Sequence, residues 1–156
     1  MLKQLVVFGL GAGILSASIG SMAQGNPVIS YRQKVMQSNG ANLGAVADIL
    51  KYQLPYQQNI KVHAEALSQA ASLIPSAFKA KVFEGRTDAK PAIWENWDKF
   101  VKYADDLKKA SDTLAEVAGG GDAAAIGAQV QKVGHACKEC HDDFRKPREE
   151  SYKKKR

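Results

Sequence analysis

Four stretches of this chain carry apolar residues at alternating steps of four and three, and each stretch ends at proline or glycine. The first, residues 28–54, carries Met36, Leu43, Ala47, Leu50 and Leu54 as one stripe, with Tyr31, Val35, Val46 and Ile49 beside it, and ends at Pro55. The second, 57–74, carries Ile60, Ala64, Leu67, Ala71 and Ile74 and ends at Pro75. Residues 75–90 read as the longest connection. In the third, Asp88 is the expected N-cap and Pro91 falls in the first turn; the seam runs through Ile93, Trp97, Phe100, Ala104, Leu107, Ser111, Leu114 and Ala118 to Gly119-Gly120-Gly121. Asp122 caps the fourth, whose seam is Ile126, Val130, Val133, Cys137, Cys140 and Phe144, and Pro147 closes it. Seams of this period pack as near-antiparallel helices. Short connections then predict an all-α, antiparallel up-down-up-down four-helix bundle.

The start of the chain reads as a leader. Lys3 precedes an uncharged apolar or small run over residues 5–19, and Ser21-Met22-Ala23 has the small-x-small pattern of a cleavage site. The run falls short of the roughly 20 apolar residues that a spanning helix needs. The division expected is therefore 1–23 as signal peptide and 24–156 as the mature bundle, exported to the periplasm, with no membrane insertion after cleavage.

Charge narrows the partners. Without Lys3, 21 basic and 16 acidic residues leave +5, and six basic and two acidic residues within 146–156 supply +4 of it. The bundle itself is nearly neutral. A nucleic-acid binder would carry a basic face on the folded domain, so nucleic acid is not an expected partner. The tail reads as a solvated end that could steer an acidic partner.

The chemistry is concentrated in Cys137-Lys138-Glu139-Cys140-His141, which holds both cysteines of the chain. Covalent attachment of c-type haem requires this order: two thiols add to the haem vinyl groups and the adjoining imidazole ligates iron. A thioredoxin-like pair would open a helix, where the N-terminus activates a thiol; this pair lies in the last turns of one. Zinc would need a fourth ligand that the sequence does not supply nearby. Spacings of three and four put Cys137, Cys140 and His141 on one side of the helix, with Gly134 two turns before His141 as room for the ring or as an ordinary helix glycine.

After cleavage one methionine remains, Met36. Antiparallel packing sets it level with His141, a position that suits either a distal iron ligand or plain packing. His63 and His135 are expected in surface or ordinary core roles. Arg32, one turn before Met36, could pair with a haem propionate, and Arg145, one turn after His141, could cover the proximal face. Trp94 and Trp97 read as core or interface aromatics.

With these residues in view, the chain resembles the class II c-type cytochromes, the cytochrome c′ family and its low-spin relatives, over essentially all of its mature length. The resemblance rests on Tyr31-Arg32-Gln33 with Met36, on Leu54-Pro55-Tyr56, on the run from Asp88 through Pro91 to Trp94, and on the C-terminal haem motif followed by Phe144-Arg145. It implies a four-helix bundle, often a homodimer through the first two helices, with one covalent haem c. It further implies that Arg32, Gln33 and Asp88 contact haem, that Cys137 and Cys140 form the thioethers, that His141 is the axial ligand with Arg145 beside it, and that Met36 is the distal residue. Pro75-Ser76-Ala77-Phe78 departs from the pattern, lacking the tryptophan found in many members, so the distal pocket could be lined differently.

The expected function is single-electron transport with periplasmic redox proteins as partners and no enzymatic step, since no acid–base or nucleophile constellation is present. The alternative is a high-spin haem protein binding nitric oxide or carbon monoxide at an open distal site. A haem-free adaptor bundle is the third reading.

Overall fold

The Asn26 side chain accepts a hydrogen bond from the Val28 N–H (2.9 Å), and Pro27 occupies the first turn, so the chain enters its first helix with both a cap and a preset φ. The structure, a computed structural model, describes residues 26–154; the signal peptide expected over 1–23 lies outside them. Helix α1 spans Pro27–Lys51, α2 Asn59–Ser72, α3 Ile74–Phe78, α4 Ala92–Glu95, α5 Trp97–Gly120 and α6 Ala123–Phe144, followed by a 3₁₀ turn at Arg148–Glu150. The four long helices, α1, α2, α5 and α6, form the expected antiparallel bundle.

Its core follows the predicted seams in three helices. Ile60, Ala64, Leu67 and Ala71 of α2, Phe100, Ala104, Leu107 and Leu114 of α5, and Ile126 and Val133 of α6 are buried together. Each wholly buried Leu or Ile contributes about 1.5–3 kcal/mol. In α1 the two stripes exchange roles. Val35, Val46 and Ile49 are buried, whereas Met36, Leu43 and Leu50 are half-buried and Ala47 is exposed. The reason lies in how the helices meet. α1 packs along α2, α2 along α5 and α5 along α6, but α1 and α6 touch far less, and Met36 and Leu43 face the gap between them.

Three boundaries differ from expectation. Pro75 does not open a loop: it starts α3, because the first turn of a helix tolerates the missing N–H. Asp88 is not an N-cap. The chain at Ala89 is extended and pairs as an isolated antiparallel bridge with Arg145, so no helix can start there; α4 begins at Ala92, breaks at Asn96 (φ −127°, ψ 51°), and α5 follows. The tail is not wholly solvated either, because Ser151 is buried against the 87–90 loop. At the far end of the bundle Gly121 is left-handed (φ 73°), a conformation that costs glycine little, and the Asp122 carboxylate caps α6 through the Ala124 N–H (2.9 Å) and Ala125 N–H (3.3 Å).

Among the described residues no helix is long and apolar enough to cross a membrane.

Candidate functional site

The gap between α1 and α6 is a cavity of about 430 Å³, within the range of sites that enclose a small molecule. Its walls are mainly apolar: Leu43 from α1, Ile74 and Phe78 from α3, Ile93 from α4, Phe100, Ala104 and Leu107 from α5, and Phe144 from α6. All eight residues singled out from the sequence line it: Arg32, Gln33, Met36, Asp88, Cys137, Cys140, His141 and Arg145. Helical spacing explains the lining from α1 and α6, while Asp88 comes from the segment before α4. Arg32, Met36, Asn39 and Leu43 step by four, three and four along α1, while Cys137, Cys140, His141 and Phe144 step by three, one and three along α6.

The electrostatics of the α6 wall are those of an apolar site. Burial pushes the Cys137 thiol up, and burial, with Cys137 and Asp143 adding to it, pushes Cys140 up to about 12. Both sulfurs are therefore neutral S–H groups at pH 7. Both cysteines are free. His141 moves the other way: crowding by protein, then the charge of Arg145, lowers its pKa. Its open surface faces the cavity, and the ring is neutral at pH 7 with one nitrogen available to a metal.

Arg32 is only 2% exposed, and its guanidinium does not reach outward. Its Nε donates to the Ala77 carbonyl (3.0 Å), and the other nitrogens donate to Ala80 and Val82 carbonyls. It also lies over Phe78 (4.9 Å) and Trp94 (5.0 Å), both as cation–π contacts, and burial lowers its pKa. Its donors hold the 77–82 segment over the end of α1. The Gln33 amide donates to the Arg86 carbonyl (2.8 Å), tying down the next stretch of the same connection. Phe78 packs on Phe100 (5.2 Å), so a phenylalanine pair lines the wall where Pro75-Ser76-Ala77-Phe78 lacks the tryptophan.

Asp88 serves the tail. Its carboxylate accepts from the Ser151 hydroxyl (2.9 Å) and the Tyr152 N–H (3.0 Å), with an Arg145 nitrogen 3.6 Å away. The backbone is clasped as well: Lys90 N–H donates to Phe144 (3.0 Å), and Lys146 N–H to Asp88 (2.7 Å). This clasp brings Tyr152 and Lys153 to the cavity's edge.

Asn39, Tyr103, Tyr152 and Lys153 are among the lining residues that escaped the sequence analysis. Asn39 is buried, its amide donates to the Val35 carbonyl (2.9 Å), and its Oδ1 has no partner among the described residues. Its place three residues after Met36 was the available signal. Tyr103 lies one turn from Phe100 and donates to Asp143 (3.0 Å), which Lys99 also engages (2.8 Å). The hydrogen bond to Asp143 raises the Tyr103 pKa, and the hydrogen bonds from Lys99 and then Tyr103 lower that of Asp143. Tyr152 and Lys153 left no periodic signal. Gly134 does not line the cavity, and a Cβ there would meet no atom within 4 Å. His63 bonds Asn42 (3.0 Å) and the exposed His135 lies 3.5 Å from Glu139, both away from the cavity.

The residues present fit a haem. Among the described residues, no three His, Cys, Asp or Glu side chains converge as a metal cage. A porphyrin supplies four nitrogens of its own and needs from the protein an apolar slot, an imidazole and two thiols on one wall, which is the set found here.

The comparisons agree with that fit. Residues 27–145 match the family described as Cytochrome C'. A relative named cytochrome c-556, from Rhodopseudomonas palustris, is 32% identical over 151 residues, covering 93% of this chain and 97% of the relative. A solved nitric oxide complex of a mutant cytochrome c prime from Alcaligenes xylosoxidans is 30% identical, with a TM-score of 0.69, covering 77% of this chain and 94% of that one. A solved cytochrome c' described as having a ligand-controlled dimer dissociation is 28% identical, with a TM-score of 0.68, covering 78% and 95%. The chain belongs to the cytochrome c′ family, and the group its cavity takes is one covalently attached haem c.

Proposed function

We propose that this protein is a periplasmic carrier of single electrons, exported with a leader removed after Ala23. The observation that carries the reading is the apolar slot between α1 and α6 with Cys137, Cys140 and His141 on one wall and Met36 on the helix opposite. Haem iron, when bound, supplies a one-electron ferric/ferrous couple. The chain's own residues do the rest. Cys137 and Cys140 would hold the ring through thioethers, and His141, already neutral, would ligate its iron. Gln33 and Asp88 act on the haem through the 86–90 loop and the tail that they fix. Arg145 covers the His141 side, and Arg32 acts through the loop it anchors. Aromatic and aliphatic walls keep water away, which tunes potential without any acid–base group.

Met36 decides between this reading and a second one. The nitric oxide complex of the Alcaligenes relative favours the alternative that the distal side of the ring stays open and takes nitric oxide or carbon monoxide. A thioether bound at that side supports a pure carrier; an open side supports gas binding. The ligand-controlled dimer of the other relative supports a homodimer.

The test begins with protein exported from a host competent in haem attachment. Its mass should exceed that of the mature polypeptide by one haem, and the pigment should survive acid-acetone extraction. Optical spectra of the oxidised and reduced protein, repeated for Met36→Ala, then assign the distal side. Loss of a methionine-to-iron charge-transfer band in the variant marks a ligand, while an unchanged spin state and rapid carbon monoxide binding by the parent mark an open site. A bare polypeptide mass overturns both readings.

A further inference from the structure

The last turn of α6 separates two spaces. On one side is the haem cavity; on the other is a hollow of about 710 Å³, and His141, Arg145 and Lys153 line both. The remaining cations around the hollow are Lys90, Lys146, Arg148 and Lys154, and its single lining carboxylate is Asp142. That carboxylate is already engaged by Lys138 (2.5 Å). Lys90 and Lys146 donate to the backbone carbonyls of Asp142 (2.9 Å) and Thr87 (3.2 Å), contacts that leave their charge unneutralised. Arg145 stands 3.6 Å from Asp88, itself shared with the tail. Glu149 and Glu150 are exposed on the 3₁₀ turn and do not line the hollow.

So much positive charge gathered on one concave face, while the rest of the bundle is nearly neutral, gives the molecule a strong electrical polarity. Its positive end lies where only one helical turn separates solvent from the cavity. The polarity is built by the clasp at Asp88, which folds the tail back. The matched family region ends at residue 145, so most of these tail cations lie beyond it.

We propose that this hollow is the docking site for the acidic face of a partner redox protein, which exchanges its electron across the wall formed by His141. The inference rests on the haem reading given under Proposed function. The exchange moves one electron between the partner's centre and the ferric/ferrous couple, and no bond is made or broken. Two features favour a protein over other anions. Arg148, Lys153 and Lys154 are exposed and spread round a rim, whereas a small-anion site would converge buried donors on one point. The cations also have little apolar surface beside them to enter a bilayer, with Pro147 the one apolar residue lining the hollow.

The test uses the holoprotein with two electron donors: a reduced flavodoxin of strongly negative net charge, and reduced lumiflavin, which is small and uncharged. Stopped-flow absorbance gives the rate of haem reduction by each. Steering predicts that the flavodoxin rate falls about tenfold between low and physiological salt, and that K146Q/R148Q/K154Q, at cations that line the hollow and not the cavity, lowers the low-salt rate by about the same factor. The lumiflavin rates and the midpoint potential stay unchanged. A control with equal charge loss at the far end and on α6, K51Q/K61Q/K132Q, should keep most of the flavodoxin rate. A readout independent of turnover is carbodiimide cross-linking, expected at Lys146, Lys153 and Lys154. The proposal is overturned if the tail variant and the far-end control slow flavodoxin equally, or if cross-links fall outside the hollow. It is also overturned if the holoprotein binds phosphatidylglycerol vesicles at physiological salt through the same three residues, which would assign the hollow to a lipid surface. Protein purified without covalent pigment would instead show that the haem reading itself had failed.

Discussion

The carboxylate of Asp88 binds the tail of its own chain: it accepts the Ser151 hydroxyl at 2.9 Å, and its other oxygen accepts the Tyr152 N–H at 3.0 Å. The side chain is only 10% exposed. A carboxylate so enclosed is held by these donors and by Arg145, and removing its charge weakens them all at once. What the sequence presents as a basic appendage is, up to Lys154, a strap closed over the end of the haem helix.

Asp88→Ala should therefore destabilise the protein by about 1–3 kcal/mol, the range for losing charged hydrogen bonds at a buried group, and Ser151→Ala by about 1 kcal/mol. Denaturant unfolding measures both. Hydrogen exchange separates a local from a global effect, since loss of the clasp should speed exchange at Lys146 and Tyr152 before it touches the buried centre of α5. Equal protection of those two amides in Asp88→Ala and the parent would mean that the clasp does not hold the tail.

Arg32 makes a sharper case. Three carbonyls, those of Ala77, Ala80 and Val82, converge on one buried guanidinium. Arg32→Met leaves all three without that donor, and a loss of about 3–5 kcal/mol is expected, at the upper end for single substitutions. Arg32→Lys should recover only part of it, because an ammonium cannot span three acceptors with a planar fork. The midpoint potential distinguishes roles: if Arg32 acts by anchoring the loop, Arg32→Lys moves stability far more than potential.

How much of this was legible in the sequence follows from what kind of pattern each part leaves. The bundle could be read from Ile60 to Ala71 and from Phe100 to Leu114, because burying one face of a helix repeats every three or four residues. Arg32, Met36, Cys137, Cys140, His141 and Arg145 could be read by counting helical turns, whereas Gln33 and Asp88 came from the family resemblance alone. Along α1, however, a stripe facing a cavity and a stripe facing the core look alike: Met36 and Leu43 were as periodic as Val35 and Val46. What remained hidden was set by contacts between distant residues. Asp88 before Pro91 has the local signature of a cap, and only pairing of Ala89 with Arg145, 56 positions later in the numbering, makes it a clasp. Arg32 looked free to meet a propionate because the carbonyls it serves lie on an irregular segment with no periodicity at all.

Ser68 and Asp112 carry a pH dependence. Asp112 accepts from Lys108 (2.7 Å) and from the Ser68 hydroxyl (2.5 Å), and these hydrogen bonds, Lys108 first, hold its carboxyl below the usual range. A carboxyl depressed in the folded state stabilises the protein above its unfolded pKa of about 3.9, and that stabilisation is lost as pH falls through the lower folded value. Since the side chain is 45% exposed, about 0.5 kcal/mol is expected. Asp112→Asn should thus be slightly less stable than the parent at pH 6, and the difference should close below pH 4. A constant difference across that interval would place the contribution of Asp112 in packing instead.

In the proposed reading His141 and the two cysteines divide the work of holding haem, and substitution can separate them. The ring of His141 opens onto the cavity and onto the basic hollow, so its removal leaves a space connected to solvent. His141→Gly should still yield covalent pigment, because both thioether sulfurs remain, but with altered spin state and a midpoint potential moved on the order of 0.1 V, axial ligation being the strongest lever on haem potential. Added imidazole should enter through the hollow and restore the parent spectrum. Cys137→Ser/Cys140→Ser makes the opposite separation: the imidazole stays, no covalent link can form, and acid-acetone should extract whatever haem has bound. Covalent pigment in that double variant would show that the ring is attached elsewhere, and failure of imidazole to change the His141→Gly spectrum would show that His141 was not the ligand.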